Sequence, residues 1–556
     1  MQNRRDFLRN SALAGMGFML GPADVAGANK TRTNMEQGSG KSKITILHTT
    51  DVHCQLHPHD EMFWENDKMT FRKTGGYAHI DSYFQEVRNE NPNTIIVDTG
   101  DMFQGSELSV KTSGNVMPPI LNAMGYGLFL PGNWEVVYGK QQMLRLMGSL
   151  NAPKTCANMY HDLGDGRKGE LIFPPYHIWN IAGVKIGFIG YTDHLVPVRQ
   201  SPMYSKGIVY TEPEENIEHY VTHLRRNEQC QFVIVLSHLG LSQQIALANN
   251  PACEGVDYIL GGDTHERVRK PIECTYAKVV EPGAFGSFTG RLDLIVENGN
   301  IIEESYELVE MTATKYRPTE RISRLVEAAE APMLQEMNKI IGYSTIPLYR
   351  YFVIENTIDT LITNAVKWKV NADIALSNGF RFCPPRVERD KTGNIPITEA
   401  FLYDMLPVDS KVRTAKATGR QIVQWLEKEM NNVFATQAEQ RFGGWLVKFS
   451  GMNVVFEAHG AANKRIKSVH IGGEPIQVNR IYMLSACERE GDPDDVLCRL
   501  KGVESAANTS FTLHEAVKEY LAAFSPVTPE PPGNAVATDV SRQLLTQVTG
   551  VDYKFT

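Results

Sequence analysis

The chain has 556 residues, a formal net charge of -8 at pH 7 and a hydrophobic fraction of 42%. That length exceeds one ordinary hydrophobic core, so two or three domains are expected. The slightly acidic balance gives no reason to expect a nucleic acid or an anionic membrane surface as a partner.

The first predicted element is a signal peptide at residues 1–28. Paired arginines, Arg4 and Arg5, precede an apolar run that ends at Leu20, and small residues follow up to Ala28. This order of regions is typical of secretory signals, and the paired arginines are typical of the twin-arginine class. The apolar run is shorter than the ~20 residues of a membrane span. We therefore expect cleavage near Ala28, no stable membrane span and a periplasmic protein.

The rest of the chain predicts an α/β protein. Apolar strand-like runs alternate with amphipathic helical stretches, which is typical of sheets covered by helices. The eight cysteines lack CxxC spacing, so their pairing stays open. Helices are predicted over residues 76–89, 139–149, 214–229 and 355–370. The predicted segments are a disordered lead-in at 29–41, a first α/β domain at 42–317, a connecting helix at 318–340, a second domain at 341–525 and a Pro-rich tail at 526–556.

Five strand-like runs in the first half end at an acidic or histidine-bearing loop. The clearest is the β-branched run from Ile95 to Val97, which stops at Gly100 and Asp101. Such a run predicts a buried parallel strand, and open α/β sheets keep their sites at the carboxyl ends of such strands. One motif alone is more often a turn, but five in order predict one site for divalent metals. The candidate ligands are Asp51, His53, Asp101, Asn133, His238, Asp263 and His265.

These motifs resemble those of the calcineurin-like metallophosphoesterases and, within them, the 5'-nucleotidase superfamily. The resemblance implies a four-layer α/β/β/α sandwich with a dinuclear metal site, followed by a C-terminal α/β domain of the 5'-nucleotidase type. The family pattern of D-x-H, G-D-x-x-x-G, G-N-H-E, a strand-end His and G-H-x-H is matched by residues 51–53, 100–105, 132–135, 237–238 and 262–265.

By this resemblance, Asp101 would bridge two cations roughly 3.5 to 4 Å apart, and a shared water would become hydroxide near neutral pH. His and carboxylate ligands without thiolates favour Mn, with Zn, Fe or Co as alternatives, over Ca. The remaining ligands would be Asp51, His53 and His265 for one cation, and Asn133, His238 and Asp263 for the other.

The chain departs from the family pattern at two places. Asp263 stands where the family has the first His of G-H-x-H, so it is either a ligand that favours a harder metal such as Mn or a turn residue. Trp134 and Val137 stand where the family has a His and the Asp that holds it. Neither can transfer a proton, and losing a general acid should slow release of an alkoxide by on the order of 10² to 10⁴.

The change at Trp134 is shared with the thiosulfohydrolases of periplasmic sulfur oxidation, which release sulfate from a Cys-bound thiosulfonate on a carrier protein. The chain resembles them also at residues 55–59, 264–266, 377–381 and 441–445. A persulfide is a weaker base than an alkoxide, so it can leave without a general acid. The alternative is that Trp134 only packs in the wall of the site.

The substrate side is predicted from the second domain, which in nucleotidases lends arginines to the phosphate and two aromatic residues to the base. Arg381 lies in the matching Gly-Phe-Arg loop and is a candidate for catalysis and bidentate oxyanion binding, with a surface salt bridge as the alternative. Trp445 matches the region of the first aromatic residue and is the other candidate for substrate binding. Residues 490–494 lack the motif of the second aromatic residue, so the clamp is half missing.

These residues together predict an exported hydrolase that uses metal-bound hydroxide to release an oxyanion. We expect sulfate release from a thiosulfonated carrier, with Trp134 and Arg381 at the catalytic site. The alternative is a 5'-nucleotidase or another phosphoesterase acting on a small ester, including 2',3'-cyclic ones. A minor alternative is an inactive metal-binding relative.

Overall fold

Two mixed sheets carry the N-terminal half of the chain in the computed structural model, which describes residues 41–379 and 383–545. In the first sheet, the predicted strand Thr94–Asp98 pairs in parallel with Lys41–Thr49 on one side and Leu128–Phe129 on the other. These strands therefore end at one edge of the sheet. The strand order is Asn300–Glu310, Phe288–Glu297, Lys41–Thr49, Thr94–Asp98 and Leu128–Phe129.

The second sheet is centred on Phe232–His238, all seven residues of which are buried. This strand pairs in parallel with Val184–Thr192 and with Tyr258–Leu260. Apolar residues of both sheets belong to one hydrophobic core, so the two sheets enclose a shared interior. The strand order is Ile272–Glu273, Lys278–Val280, Tyr258–Leu260, Phe232–His238, Val184–Thr192 and Tyr176–Ile181.

Helices and short hairpins complete this half. Three of the predicted helices are confirmed, at Tyr77–Glu90, Lys140–Gly148 and, in the second half, Thr357–Val370. The fourth is divided into the short α-helix Ile217–Thr222 and the π-helix His223–Asn227 that follows it. The remaining α-helices of this half are Glu107–Lys111, Met117–Met124, Val196–Arg199 and Leu241–Ala248, and the smaller sheets are His59–Glu65 with Lys68–Thr74, and Ile208–Tyr210 with Met159–Asp162 and Lys168–Leu171.

The connecting segment contains two helices rather than the single one that the sequence predicted. The helix Glu320–Glu330 ends just before Pro332, and a second helix follows at Leu334–Met337. Proline lacks the backbone N–H that would form the next helical hydrogen bond, and its ring clashes with the preceding turn, so the helix ends there.

The C-terminal half is a second α/β region with its own core. Part of the segment predicted as a Pro-rich tail, Ala535–Ala537, is a strand that pairs in parallel with Met452–Phe456. Among the described helices, none combines the length and the apolarity that crossing a bilayer requires. The larger sheet has the strand order Lys448–Ser450, Ile374–Ser377, Ile481–Cys487, Lys411–Thr418 and Glu504–Thr512, and a four-stranded sheet has the order Glu474–Pro475, Ile466–Ile471, Met452–Phe456 and Ala535–Ala537. Two further pairs of strands are Ile340–Ser344 with Ile395–Thr398, and Val496–Leu497 with Leu500–Lys501. The α-helices are Thr357–Val370, Glu399–Met405, Gly419–Phe434 and Leu513–Phe524.

Candidate metal centre

The predicted ligands lie at the carboxyl ends of strands from both sheets. Asp51 and His53 follow Lys41–Thr49, and Asp101 follows Thr94–Asp98. Backbone hydrogen bonds join these two loops, since the Asp51 amide donates to the Gly100 carbonyl at 2.9 Å and the His53 amide donates to the Asp101 carbonyl at 3.1 Å. The second sheet contributes the remaining groups through His238, at the end of its strand, and the loop with Asp263 and His265.

Backbone strain is concentrated at these positions. A positive φ angle is uncommon for residues other than glycine, and such residues cluster at functional sites. The tight loops also need glycine at Gly132, where an added Cβ atom would lie 2.3 Å from Asp101 Oδ1. The predicted ligands with positive φ are Asp51 at 51°, His53 at 51°, Asp101 at 63°, Asp263 at 86° and His265 at 60°.

The first group of candidate ligands contains Asp51, His53 and His265. The Nε2 atoms of the two imidazoles are 3.1 Å apart. Asp51 Oδ1 lies 3.4 Å from His265 Nε2 and 3.7 Å from His53 Nε2. Ligand atoms at ~2.1 Å from one cation are roughly 3.0 to 3.4 Å from each other. The spacing in this group is close to that of a coordination shell.

The second group contains Asp51, Asp101 and His238. Asp101 Oδ2 is 3.2 Å from His238 Nε2 and 3.7 Å from His53 Nε2, so it lies between the two groups. Asp51 Oδ1 is 3.8 Å from His238 Nε2 and therefore also faces both groups, although the sequence placed it on one side only. A carboxylate between two sets of imidazoles has the position that a bridging ligand needs.

Hydrogen bonds orient four of the candidate ligands through the atom that faces away from the cluster. His238 Nδ1 is 2.6 Å from the Thr99 carbonyl and His53 Nδ1 is 3.0 Å from the Gln104 carbonyl. Donation of the Nδ1 protons leaves both Nε2 lone pairs directed at the cluster. In the same way, Asp51 Oδ2 accepts from Thr50 Oγ1 at 2.6 Å, and Asp101 Oδ1 accepts from the Trp134 amide at 2.8 Å.

Glu135 holds the loops on which the cluster depends. Its fully buried carboxylate accepts from the amides of Asp101 at 2.9 Å and Met102 at 2.7 Å, and also from Gly132. Burial raises the pKa of Glu135, and these backbone donors oppose that rise. Glu135, the last residue of the stretch that matches G-N-H-E, thus supports the candidate bridging residue Asp101.

The electrostatics of the cluster favour a cation. Burial lowers the pKa of His53 to about 3, so its imidazole is neutral, which is the form that binds metals. Burial also raises the pKa of Asp101 well above its ordinary value. Burial would lower the pKa of His238, but the carboxylates of Asp101 and Asp51 raise it well above its ordinary value. A cation would relieve the cost of burying these carboxylates together.

A further observation shows that these residues fit a metal ion. Asp51 Oδ1, Asn133 Oδ1 and His238 Nε2 are buried atoms without a hydrogen-bond partner among the described residues. A buried polar atom without a partner costs about 1 to 3 kcal/mol, and metal coordination would satisfy all three. The fold together with these His and Asp clusters implies divalent metals.

The structure does not bring the Asp263 carboxylate into either group of the described residues. Its Oδ1 atom accepts from Asn133 Nδ2 at 2.9 Å, and its Oδ2 atom accepts from Arg199 Nη1 at 2.9 Å. Both oxygens are therefore engaged, while the Asp263 amide donates to Asp51 Oδ2 at 3.0 Å. Nothing in the residues near Arg199 in the sequence signals this ion pair, so sequence reasoning missed it.

A cavity of about 230 Å³ lies beside the cluster, where Asn133 and Asp263 line it, and continues between the two halves of the chain. Trp134, whose side chain is only 9% exposed, lines it together with Asn133, and Trp445 lines it from the other half. Phe442, which the sequence prediction did not single out, is a second aromatic residue in the wall. Arg381 lies outside the described residues, so its role stays a prediction.

Comparisons with known proteins agree with this geometry. The calcineurin-like phosphoesterase family matches residues 44–267, and the 5'-nucleotidase C-terminal domain matches residues 340–486. The 5'-nucleotidase of Vibrio cholerae is 22% identical, over 91% of this chain and 95% of that protein.

Two solved structures from Thermus thermophilus have a similar fold. The sulfate thiohydrolase SoxB in complex with glycerol superposes with a TM-score of 0.81 at 21% identity, covering 91% of this chain and 98% of that one. A 5'-nucleotidase precursor superposes with a TM-score of 0.76 at 21% identity, covering 90% of this chain and all of that one. The α/β fold and the family resemblance predicted from the motifs are confirmed.

Proposed function

Because this chain is a metal-dependent hydrolase of the metallophosphoesterase and 5'-nucleotidase superfamily, we propose that it releases sulfate from a thiosulfonated cysteine of a carrier protein. The observation that carries this proposal is Trp134 in the wall of the cavity, next to the candidate ligand Asn133. The indole N–H does not ionise near neutral pH, so this position cannot protonate a basic leaving group. The likeness to a sulfate thiohydrolase in fold is consistent with the proposal.

The proposed reaction is a hydrolysis. Water adds to the sulfonate sulfur, the bond between this sulfur and the adjacent sulfane sulfur breaks, sulfate is released, the carrier keeps a persulfide anion, and the two protons of the water pass to solvent. When bound, two divalent cations would lower the pKa of a water and stabilise the negative charge that develops on the sulfonate oxygens. The persulfide leaves as a weakly basic anion, so the absence of a proton donor at Trp134 costs little.

The residues of the chain contribute positioning. Asp101 and Asp51 present one oxygen each to the cluster because their other oxygens accept hydrogen bonds from the Trp134 amide and Thr50. The Trp134 side chain keeps water from one side of the cavity, since it is almost fully buried. A sulfonate held here meets fixed dipoles rather than reorganising solvent, which is the usual source of electrostatic catalysis.

A 5'-nucleotidase activity is the second candidate. It is favoured by two aromatic residues in the cavity wall, Phe442 and Trp445, which could hold a nucleoside base, and by relatives named 5'-nucleotidase. Against it stand Trp134 and Val137, which replace the expected proton donor and its partner.

The metal and the cellular location complete the proposal. We propose manganese, because the candidate ligands combine carboxylate and amide oxygens with imidazoles and contain no thiolate. We propose export to the periplasm by the twin-arginine route from Arg4 and Arg5, which lie outside the described residues. Replacing both arginines by lysine should retain the chain in the cytoplasm, and fractionation of cells that express each form measures this.

The test of the activity is a paired assay with one metal-loaded preparation. We expect sulfate release from a thiosulfonated carrier peptide to exceed phosphate release from AMP in kcat/KM by on the order of a hundredfold, the size of a missing general acid. The Asp101→Asn variant, tested in parallel, controls for contaminating hydrolases. AMP turnover that equals or exceeds sulfate release would overturn the sulfur proposal and support the second candidate.

A further inference from the structure

The described arginines that line the cavity differ in how their side chains are engaged. Arg350 and Arg499 direct Nε to carboxylates, Asp359 at 3.1 Å and Glu429 at 3.0 Å respectively. Arg489 likewise donates from Nε to a neighbouring carboxylate. In contrast, Arg199 Nε is buried and has no hydrogen-bond partner among the described residues.

Arg199 is nevertheless held in one orientation. It is the last residue of the short helix Val196–Arg199, and its side chain is 13% exposed. A single nitrogen, Nη1, donates both to Asp263 at 2.9 Å and to Asp193 at 3.2 Å. The guanidinium also lies 5.3 Å from the centroid of the Phe442 ring, which adds a cation–π contact from the other wall of the cavity.

This arrangement leaves the Nε and Nη2 edge of the guanidinium without a protein acceptor among the described residues. Two parallel N–H groups on that edge match two oxygens of a tetrahedral oxyanion. The same ion pair is joined to the cluster, because Asp263 Oδ1 accepts from Asn133 Nδ2 and Asn133 Oδ1 is unpartnered. The free edge of Arg199 is therefore fixed relative to the candidate metal ligands.

We propose that Arg199 is an oxyanion-binding residue of this cavity and that Asp263 is its anchor rather than a metal ligand. The ligand is the tetrahedral oxyanion of the reaction, which is either a sulfonate or a phosphate. The inference rests on the proposed function only for the choice between these two anions. Arg199 would supply a fixed positive charge to the oxyanion. Asp263 would also orient the Asn133 amide so that its oxygen, not its nitrogen, faces the cluster.

The experiment measures binding of inorganic sulfate and inorganic phosphate to the metal-loaded protein by calorimetry, and metal per chain by elemental analysis. In Arg199→Gln we expect anion affinity to fall at least tenfold with unchanged metal content, because one charged donor edge is lost. Arg199→Lys should recover part of the affinity through charge alone. The control is Arg225→Gln, an arginine paired with Asp257 outside the cavity, which should bind anions as the wild type does.

Asp263→Asn separates the anchor from the ligand. An asparagine can still accept from Asn133 but loses the ion pair with Arg199, so we expect weaker anion binding and unchanged metal content. Loss of one metal ion per chain in this variant, or unchanged anion affinity in Arg199→Gln, would overturn the proposal. If the glutamine variant does not fold, the same comparison is read from Arg199→Lys. Anion affinity does not depend on which substrate is turned over. If the sulfate-release assay fails, the anion-binding measurement therefore still tests the role of Arg199.

Discussion

The two halves of the chain make unlike contributions to one cavity. The N-terminal half supplies a cluster of buried candidate ligands, most of which are held by a hydrogen bond on the outer side, as with His238 and the Thr99 carbonyl at 2.6 Å. The C-terminal half supplies a wall with apolar and aromatic groups, such as Leu376 and Trp445, and arginines that are already ion-paired. The contrast indicates that the candidate catalytic groups come from one half, while most of the cavity wall, apart from Trp134 and its neighbours, comes from the other half.

The halves meet through specific polar contacts. Gln104, whose carbonyl holds His53, donates from its side chain to the Pro407 carbonyl at 2.8 Å. Tyr351 donates to Glu61 at 2.6 Å, inside a buried group that includes Arg267, two residues after His265. Hydrogen bonds thus connect the wall to the loops that carry the candidate ligands. Substitutions in the cluster and in the wall can test the contributions of the two separately.

The largest effect should come from the cluster. Asp101→Asn removes the charge of the bridging carboxylate, and we expect kcat to fall by at least about a hundredfold for sulfate release and for phosphate release alike. The measurement is steady-state kinetics with both substrates. Asp67→Asn, in an exposed hairpin turn, is the matched control and should change neither. Loss of only one activity would contradict the division between the halves.

The next effect concerns the leaving group. Replacing Trp134 by His together with Val137→Asp restores the proton donor of the family pattern, so AMP hydrolysis should rise by on the order of 10² in kcat. Sulfate release should rise little, because the persulfide leaves without protonation. Unchanged AMP turnover in a folded, metal-loaded double variant would show that Trp134 does not decide the leaving group.

A smaller effect is expected in the wall. Trp445→Ala should raise KM about tenfold with little change in kcat, because a contact made equally in the bound substrate and the transition state affects binding only. Trp368→Ala, which removes an aromatic residue 42% exposed on the surface, is the control. A fall in kcat without a change in KM would place Trp445 with the catalytic groups instead.

A separate effect, on stability rather than on activity, concerns the contact between the halves. Asp404 accepts from Gln55 at 3.3 Å, and burial raises its pKa from 3.8 to about 7. The folded state then holds a proton that the unfolded state releases, so the free energy of unfolding should fall as pH rises through this window. Asp404→Asn should remove that slope, which is worth at most about 4 kcal/mol. Denaturant unfolding at pH 4.5 and pH 8 measures it, and parallel slopes in both proteins would contradict the assignment.

The sequence predicted the cluster because parallel strands end at the same edge of a sheet. Asp51 and Asp101, for example, are 50 residues apart in the chain, yet they follow Lys41–Thr49 and Thr94–Asp98, which pair in parallel and end at the same edge. The orientation of Asp263 could not be predicted in this way. It depends on Arg199, at the end of a four-residue helix whose position is decided by packing rather than by any local motif.

The residues that line the cavity were harder to predict from the sequence than the residues of the cluster. Trp445, the candidate for substrate binding, lines the cavity, but Phe442 was missed, although it belongs to the same Arg-Phe-Gly-Gly-Trp stretch. Which of two nearby aromatic residues faces a cavity depends on loop conformation, and loops have no periodicity from which to deduce a side-chain direction. The prediction of a single connecting helix was wrong because Pro332 has no backbone N–H with which to continue the helix.

The central claim is that Asp51, Asp101 and their imidazole partners form a dinuclear metal centre. The most direct measurement is the metal content per chain, by elemental analysis, of wild-type and Asp101→Asn protein purified side by side. We expect about two divalent ions in the wild type and fewer than one in the variant, because the bridging carboxylate joins both sites. A wild-type protein that keeps full hydrolase activity after a chelator has removed its metal would contradict the account.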